Sequence, residues 1–383
     1  MRRAGVLAAL ALASAAPQAA KVTLLAPAGD PRLERSRVER APPGHPGGPA
    51  AEGLKLALAD AELELNAAGA KLELAVVEVA DAAAARAAAV QAARAGAVAL
   101  VTDLPAAWTL AVADATALPV LNTGVADDAL READCRRNTF HLLPSERMRA
   151  DALAQALAAR RWTNVLLLVG ADDAARGATA LAAVQRHGLK LVAMRPFKLS
   201  ADPRERDLAN PLLLTAAAQG AYDVVWVVDG DGEFATTLPY RTALPRPVVG
   251  DGGLAALAWS PRFERYGAPQ VSRRLARAAR RPMTAHDWAA WMAGKALVAA
   301  AVTAPKGNAA QFAQALAVSQ LDGSKGTVLS FRAWDGQLRQ PLLLTDGQAV
   351  QAQAPADGVL HPRDKLDTLG SDAPEKRCKA RAS

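Results

Sequence analysis

Three carboxylates alternate along the stretch VVDGDGEFATTLPY, residues 227–240, directly after a run of β-branched residues. Asp229, Asp231 and Glu233 have the spacing with which a calcium loop begins. The same stretch contains the pattern Gly-x-Gly-x-x-Ala behind a predicted strand, which is typical of a dinucleotide-binding turn. A third interpretation is that the stretch is a strand end followed by an acidic loop.

The surrounding sequence argues against the first two interpretations in their usual forms. An EF-hand loop lies between two helices and has a glutamate at position twelve, whereas here a strand precedes and position twelve is Tyr240. Asp251 has the spacing of a ribose-binding acid, but Pro239 interrupts the helix that a dinucleotide turn must open. Asp231 and Glu233 would also repel a pyrophosphate at that turn.

A hard cation such as calcium or a lanthanide remains an open alternative. Asp229, Asp231 and Glu233 could bind it together with Asp172 and Asp173, since such ions prefer carboxylate oxygen atoms. Acidic loops are more commonly solvated or cap a helix. We therefore keep metal capture as the alternative to binding of a small organic molecule.

The sequence contains no pattern typical of an enzyme. There is no Gly-x-Ser-x-Gly elbow, and neither cysteine accompanies the histidine and asparagine of a thiol hydrolase. The five histidines do not have the spacing of metal ligands. We therefore predict a protein without catalytic activity and without a cofactor.

The N-terminus has the composition of a signal peptide, predicted over residues 1–20. Arg2 and Arg3 are followed by an uncharged apolar run, and small residues surround Ala19 and Ala20. The apolar run is too short to span a bilayer, and no later stretch approaches roughly 20 uncharged apolar residues. We therefore expect a mature chain that is exported to the periplasm.

The formal net charge of +7 does not indicate a nucleic-acid partner. Basic residues are spread along the 383-residue chain, apart from an arginine cluster at residues 273–281 and a basic C-terminus. Nucleic-acid binding requires clustered basic residues with interleaved aromatic residues. We interpret the cluster as the solvated face of a helix.

The two cysteines, Cys135 and Cys378, are expected to pair in an oxidising compartment. Two buried thiols are the alternative. A disulfide would close a loop of about 240 residues, which the chain-entropy model values at about 5 kcal/mol.

Strand and helix patterns alternate twice along the chain. About 360 mature residues exceed what one core usually supports, so two lobes are expected. The first set of alternating elements covers residues 21–143, including a long loop at 28–50, and the second covers residues 144–255 and begins with a helix capped by Ser145. This alternation predicts an α/β fold in which each lobe has a mainly parallel sheet flanked by helices.

The last third of the chain has a different pattern. Helices are followed by GTVLSFRAWDGQLRQPLLLT, in which two β-rich runs flank Asp335 and Gly336. This arrangement predicts a hairpin over about residues 325–345. Residues 346–383 are rich in proline and charge, so we expect an extended C-terminal tail.

Candidate ligand contacts follow from the predicted strand ends. In open α/β sheets ligands bind beyond the carboxyl ends of the strands. The polar residues at these ends are Asp103, Asn122 and Thr123 in the first lobe and Asp172, Asp173, Asp229 and Asp231 in the second. Trp108 could stack on a ligand and Tyr240 could reach the cleft, although packing or capping is an alternative role for each of these side chains.

Two segments carry a resemblance to a known family, "PSERMRADALAQALAARRWTNVLLLVG" after the first lobe and the late "FRAWDGQLRQP". At the level of these motifs, the chain resembles type I periplasmic binding proteins of the leucine/isoleucine/valine-binding class. More narrowly, "SADPRERDLANPLLLT", "DGEFATTLPYRTALPRPVVG" and "MTAHDWAAWMAGKA" are similar to substrate-binding proteins of ABC transporters associated with pyrroloquinoline-quinone (PQQ)-dependent alcohol oxidation. The resemblance covers nearly all of the mature chain.

The resemblance implies a two-lobed receptor with a hinge of several crossings, which closes over a small solute and presents it to an inner-membrane ABC permease. In that fold a return segment, here about residues 256–320, packs on the first lobe, and the hairpin completes the second. A monomer is expected, and a sensor without transport is the rival function. Asp172 and Asp173 stand at the position where members of the class often have an acidic residue that contacts an ammonium group. The sequence departs from the class at residues 105–108, Pro-Ala-Ala-Trp, where a Gly/Ser-rich grip is usual, which disfavours a branched-chain amino acid.

Overall fold

The first lobe is built on a five-stranded sheet. The computed structural model describes residues 19–216 and 222–381, so nearly all of the predicted signal peptide lies outside the described residues. The elements of this lobe are β1 (Ala20–Pro27), α1 (Arg35–Arg40), α2 (Ala50–Asp60), α3 (Glu62–Ala67), β2 (Leu72–Val79), α4 (Ala82–Arg94), β3 (Ala97–Thr102), α5 (Ala106–Ala115), β4 (Val120–Asn122) and β5 (Thr139–His141). The strands are parallel, in the order β2-β1-β3-β4-β5. Asp81 begins α4 by accepting a hydrogen bond from the Ala84 amide at 2.7 Å.

The second lobe is built on a four-stranded parallel sheet. Its elements are α6 (Glu146–Ala159), β6 (Asn164–Gly170), α7 (Ala174–Arg186), β7 (Lys190–Phe197), α8 (Pro203–Leu208), α9 (Pro211–Ala216), β8 (Val224–Val228), α10 (Glu233–Thr237) and β9 (Val248–Gly250). The strand order in the sheet is β7-β6-β8-β9. Ser145 caps α6 through the Met148 amide, as the sequence predicts. The pattern LANPLLLTAAAQG, residues 208–220, predicts a single helix. Instead α8 ends at Leu208 and α9 begins at Pro211, and the last part of the pattern lies outside the described residues.

The last third contains helices that pack on the first lobe, and it also contains several short strands. They are β10 (Ala255–Leu257), α11 (Ala268–Ala279), α12 (Ala285–Thr303), α13 (Ala309–Ala317), β11 (Gln320–Asp322), β12 (Val328–Ser330), β13 (Leu342–Thr345) and β14 (Val350–Ala354). The almost wholly buried α12 crosses α2 at two glycines, Gly53 and Gly294. A Cβ on Gly294 would lie 2.5 Å from the Cβ of Ala57, so this close approach requires glycine.

A small antiparallel sheet, β10-β13-β14, lies between the two lobes. Leu257 and Leu343 belong to the hydrophobic core that contains the first lobe, whereas Leu342 and Leu344 belong to the core of the second. Successive side chains of a strand point to opposite faces, so one sheet contributes to both cores. The chain also crosses between the lobes after β5 and after β9. The α/β fold with two lobes and several crossings is therefore confirmed.

The predicted hairpin at residues 325–345 forms only at its tip. Arg332 and Gln337 are hydrogen bonded across the turn, and Phe331 forms a bridge with Leu338. The flanking strands then separate, because β12 pairs with β11 and β13 pairs with β10 and β14. The residues expected to form a long loop at 28–50 include a 3-10 turn and α1, and those expected to form an extended tail include β14 and several 3-10 turns.

The predicted disulfide between Cys135 and Cys378 is confirmed. It fixes a C-terminal strap, residues 365–381, against the first lobe. The strap also contacts the second lobe, where Glu375 forms an ion pair with Arg147 of α6 at 2.6 Å and the Gly370 amide donates to Asp151 at 2.9 Å. The strap therefore connects both lobes in addition to the chain crossings.

None of the helices in residues 19–216 and 222–381 combines the length and the apolar character needed to cross a bilayer.

Candidate functional site: the cleft between the lobes

The first-lobe side of the cleft is organised by a buried carboxylate. Asp103 follows β3 and is 2% exposed. Its Oδ1 accepts hydrogen bonds from Arg32 Nη2 at 2.8 Å and from His286 Nε2 at 2.9 Å. Burial raises the pKa of Asp103, but His286 and Arg32 outweigh burial and lower it to about 2. The Asp103 carboxylate is therefore held ionised within a network.

Arg32 joins this carboxylate to the cleft segment, residues 28–48, which follows β1. It forms an ion pair with Asp30 at 2.7 Å, and its Nη1 lies 3.4 Å from the carbonyl oxygen of Gly124 after β4. Asp30 also accepts a hydrogen bond from the Arg32 amide, which begins the 3-10 turn. The cleft segment is thus held against the strand ends, where a ligand of this lobe would bind.

Asn122 and Thr123 shape the turn after β4. The Oδ1 of Asn122 accepts hydrogen bonds from the amides of Gly124 and Val125, and its Nδ2 reaches the Val125 carbonyl and His141 Nδ1. The hydroxyl of Thr123 donates to the Thr102 carbonyl. Both side chains are buried and engaged with protein partners, so they position the turn.

The two aromatic candidates lie in different environments. Trp108, in α5, is partly buried against the core formed by the first lobe. Tyr240 follows α10 and is 90% exposed. The structure therefore packs Trp108 and leaves Tyr240 on the surface.

The second-lobe side of the cleft is organised by Arg176, which sequence reasoning missed. Its Nη2 lies 2.8 Å from both carboxylate oxygens of Asp251, and its Nη1 lies 3.1 Å from Asp173. Glu146, in the first turn of α6, approaches Arg176 at 3.5 Å and Arg149 at 3.2 Å. Burial raises the pKa of Glu146, but these two arginines lower it below its usual value. A cavity of about 30 Å³ lies within this cluster, enough for one water molecule.

Asp251 and Glu146 could have been found from their positions, since Asp251 directly follows β9 and Glu146 begins α6. Arg176 carried no such signal because it lies in the first turn of α7, three residues after Asp173, and only packing brings it to Glu146 and Asp251, which belong to other elements. Of the two adjacent candidates after β6, Asp173 joins this cluster, whereas Asp172 is exposed. The Gly230 amide donates to Asp173 at 2.7 Å, and a Cβ on Gly230 would lie 2.9 Å from that carboxylate.

The three alternating carboxylates after β8 point to different partners. Asp229 is buried and accepts hydrogen bonds from the amides of Phe234 and Ala235, so it caps α10, and burial raises its pKa. Asp231 forms an ion pair with Arg37 at 2.7 Å, and Glu233 forms one with Arg206 at 2.5 Å. Within residues 19–216 and 222–381, no three His, Cys, Asp or Glu side chains are placed to bind a metal ion together. The structure does not favour the metal alternative.

Contacts across the cleft bring the two sets of strand ends together. The pair between Arg37 and Asp231 joins the cleft segment to the second lobe. On the hinge side, Thr179 of α7 donates to Asp128 at 3.3 Å, and the Glu146 amide donates to the Ala126 carbonyl at 3.0 Å. Two charged networks, one around Arg32 and one around Arg176, therefore line the cleft between the lobes. Such an arrangement can hold a small polar molecule by hydrogen bonds from both sides.

Solved structures share this architecture, whereas sequence comparisons identify no relative. No protein-family model matches the chain, and no curated protein matches its sequence. A branched chain amino acid ABC transporter periplasmic ligand-binding protein from Burkholderia xenovorans LB400 is 15% identical and has a TM-score of 0.76, over 95% of this chain and 100% of that one. An ABC transporter substrate-binding protein from Sphaerobacter thermophilus is 16% identical and has a TM-score of 0.71, over 88% and 98%.

A third similar structure was solved with a ligand. It is an ABC transporter substrate-binding protein from Desulfitobacterium hafniense in complex with Leu, 18% identical with a TM-score of 0.66, over 86% of this chain and 97% of that one. At these identities the likeness establishes the fold. The chain therefore has the two-lobed fold found in periplasmic binding proteins of ABC transporters.

Proposed function

We propose that the protein is the substrate-binding receptor of an ABC importer, which closes two lobes over a small organic solute in the periplasm and delivers it to an inner-membrane permease. The observation that carries this proposal is the cleft itself. The carboxyl ends of two parallel sheets meet there, each with a charged network, and Arg37 already reaches Asp231 across the gap. In open α/β sheets this edge is where ligands bind.

The solute is proposed to be linked to PQQ-dependent alcohol oxidation. This part rests on the motifs quoted above from residues 200–215, 231–250 and 283–296. The first-lobe loop at residues 105–108 begins α5 with proline and contains no hydroxyl side chain, which speaks against the carboxylate grip of an amino-acid binder. Arg176 and Arg32 each retain one N–H group, on Nη1, that could donate to an oxygen atom of an alcohol or an acid derived from it.

A thermal-shift screen of the mature protein tests the proposal. The panel contains alcohols, the corresponding acids, amino acids, pyrroloquinoline quinone, calcium and a lanthanide. A solute present at 100 times its Kd stabilises the folded state by about 2.7 kcal/mol, so the melting temperature should rise by several degrees. Arg176→Gln should remove that shift, whereas Arg206→Gln, which changes an exposed residue of α8 outside the Arg176 network, should preserve it.

The samples of the screen that contain calcium or a lanthanide are compared with a separate variant. If only calcium or the lanthanide stabilises the protein, and an Asp229→Asn/Asp231→Asn double variant abolishes the effect, the organic solute is the wrong ligand. A sensor without transport would bind the same solute but would fail to stimulate the ATPase activity of the reconstituted transporter.

A further inference from the structure

A sheet edge outside the cleft has the features of a docking site for another protein. In the described part of the chain, β14 pairs with β13 alone, so its other side is a free edge. A strand edge presents unpaired N–H and C=O groups to any extended chain that approaches it. At about 3.4 Å per residue, the five residues of β14 present an edge of roughly 17 Å.

This edge lacks the protection that other long edges of the molecule have. Natural edge strands usually carry charged residues or proline, which oppose pairing with another chain. The edge strand β2 carries Glu73 and Glu78, and the edge strand β7 carries Lys190, Arg195 and Pro196. The sequence of β14, VQAQA, contains neither a charge nor a proline. The contrast indicates that this edge is kept available for pairing.

The free edge lies in a groove with walls on both sides, here called the edge groove. Two cavities of about 460 and 680 Å³ adjoin β14, and Arg265 and Gln351–Gln353 line both of them. One wall is the C-terminal end of α6, at Ala156 and Arg160, and the other includes Tyr266 and Gly326. If a strand were added to this edge, the two walls would contact its two faces.

The edge groove is basic. Arg160, Arg262, Arg265 and Lys365 line it, against the two acidic residues Glu264 and Asp357. Tyr266, which is 54% exposed, adds an aromatic surface. A second copy of this chain would bring two basic walls together if the β14 edges paired, so like charges disfavour that occupant.

We propose that the edge groove binds an extended acidic segment of another protein, which pairs with β14 as an additional strand. Backbone hydrogen bonds would supply the affinity, and the arginines would select acidic side chains. Because β13 and β10 contribute to the cores of both lobes, a partner on β14 is attached to the sheet at the hinge. This site is independent of the solute proposed for the cleft.

Fluorescence polarisation with a labelled peptide tests the proposal on the mature protein. The probe is a nine-residue peptide of alternating glutamate, threonine and valine, and its control is the same peptide with alternate backbone amides methylated. The unmodified peptide should bind, and the methylated one should not, since methylation removes the N–H groups that pair with β14. Arg262→Glu with Arg265→Glu should weaken binding by about tenfold, roughly 1.4 kcal/mol.

A matched variant controls for total charge. Arg273→Glu with Arg277→Glu changes two exposed arginines of α11 that do not line the edge groove, and it should leave affinity within about twofold. Equal binding of the methylated peptide, an equal loss in the α11 variant or no binding of the unmodified peptide would each overturn the proposal. A concentration-dependent dimer that the Arg262/Arg265 variant alters would also overturn it, by identifying a second copy as the occupant.

Discussion

Arg37 and Asp231 form an ion pair across the cleft, with Nη1 2.7 Å from Oδ1. The two residues are 194 positions apart and belong to opposite lobes. Both side chains are more than half exposed, so solvent screens the pair and its contribution to closure is small. The pair nevertheless marks where the lobes approach each other on the open side of the cleft.

Reversal of either charge should shift the protein toward a more open form. Exposed pairs contribute about 0.2 to 1 kcal/mol, so Arg37→Asp or Asp231→Arg should change the ratio of open to closed forms by up to about fivefold. Small-angle scattering or spin-label distances between the lobes would measure this. The double variant Arg37→Asp/Asp231→Arg should restore the original distribution. Arg206→Asp, which breaks a similar pair within the second lobe, serves as the control, and an equal effect of that variant would contradict the prediction.

The disulfide should contribute strongly to stability. In the chain-entropy model a closed loop of this length contributes about 5 kcal/mol, so Cys135→Ser/Cys378→Ser should lower the free energy of unfolding by several kcal/mol. Denaturant unfolding measures the loss, and reduction of the unchanged protein should reproduce it. Hydrogen exchange should then accelerate in the strap, residues 365–381, which retains ion pairs such as Arg147 with Glu375. Unchanged exchange in the strap would show that these noncovalent contacts alone hold it.

The Asp103 network should make stability depend on acid pH. The pKa of Asp103 is depressed to about 2, so the folded state favours the ionised form. Its contribution is complete above the unfolded value near 4 and is lost as the pH falls toward 2, for a total of about 2 kcal/mol. Asp103→Asn should show a correspondingly flatter dependence of unfolding free energy between pH 5 and pH 2. If the two proteins have parallel profiles, the network does not hold the charge as described.

Asp229 should be important as a cap and not as a metal ligand. Asp229→Ala leaves the amides of Phe234 and Ala235 without their acceptor, at a cost of about 1 to 2 kcal/mol. Asp229→Asn retains an acceptor oxygen and should cost less. Chemical denaturation compares the two variants with the unchanged protein, with and without calcium. Calcium should change none of the three midpoints, and a calcium-dependent stabilisation of the unchanged protein that disappears in both variants would restore the metal interpretation.

The alternation of strands and helices could be predicted because it depends on local patterns. Runs such as VVWVV and NVLLLVG are apolar enough to identify buried parallel strands, and caps such as Asp81 and Ser145 are local signals. The disulfide followed from composition, since two cysteines in a chain predicted to be exported have one another as partners. The hairpin was predicted correctly only at its tip. The turn at Asp335 and Gly336 forms locally, but the flanking strands have other partners, since β12 pairs with β11 and β13 pairs with β10 and β14.

The sequence by itself determined that this chain forms two α/β lobes and that aspartates stand at the ends of their strands. Only the tertiary structure decided which of these carboxylates meet. Asp229 and Asp231 are neighbours in sequence, yet one caps a helix and the other crosses the cleft to Arg37. Arg176 and Asp251 are 75 positions apart, yet they share two hydrogen bonds. The physical reason is that a side chain finds its partner through the packing of whole elements, whereas spacing along the chain reports only the local backbone.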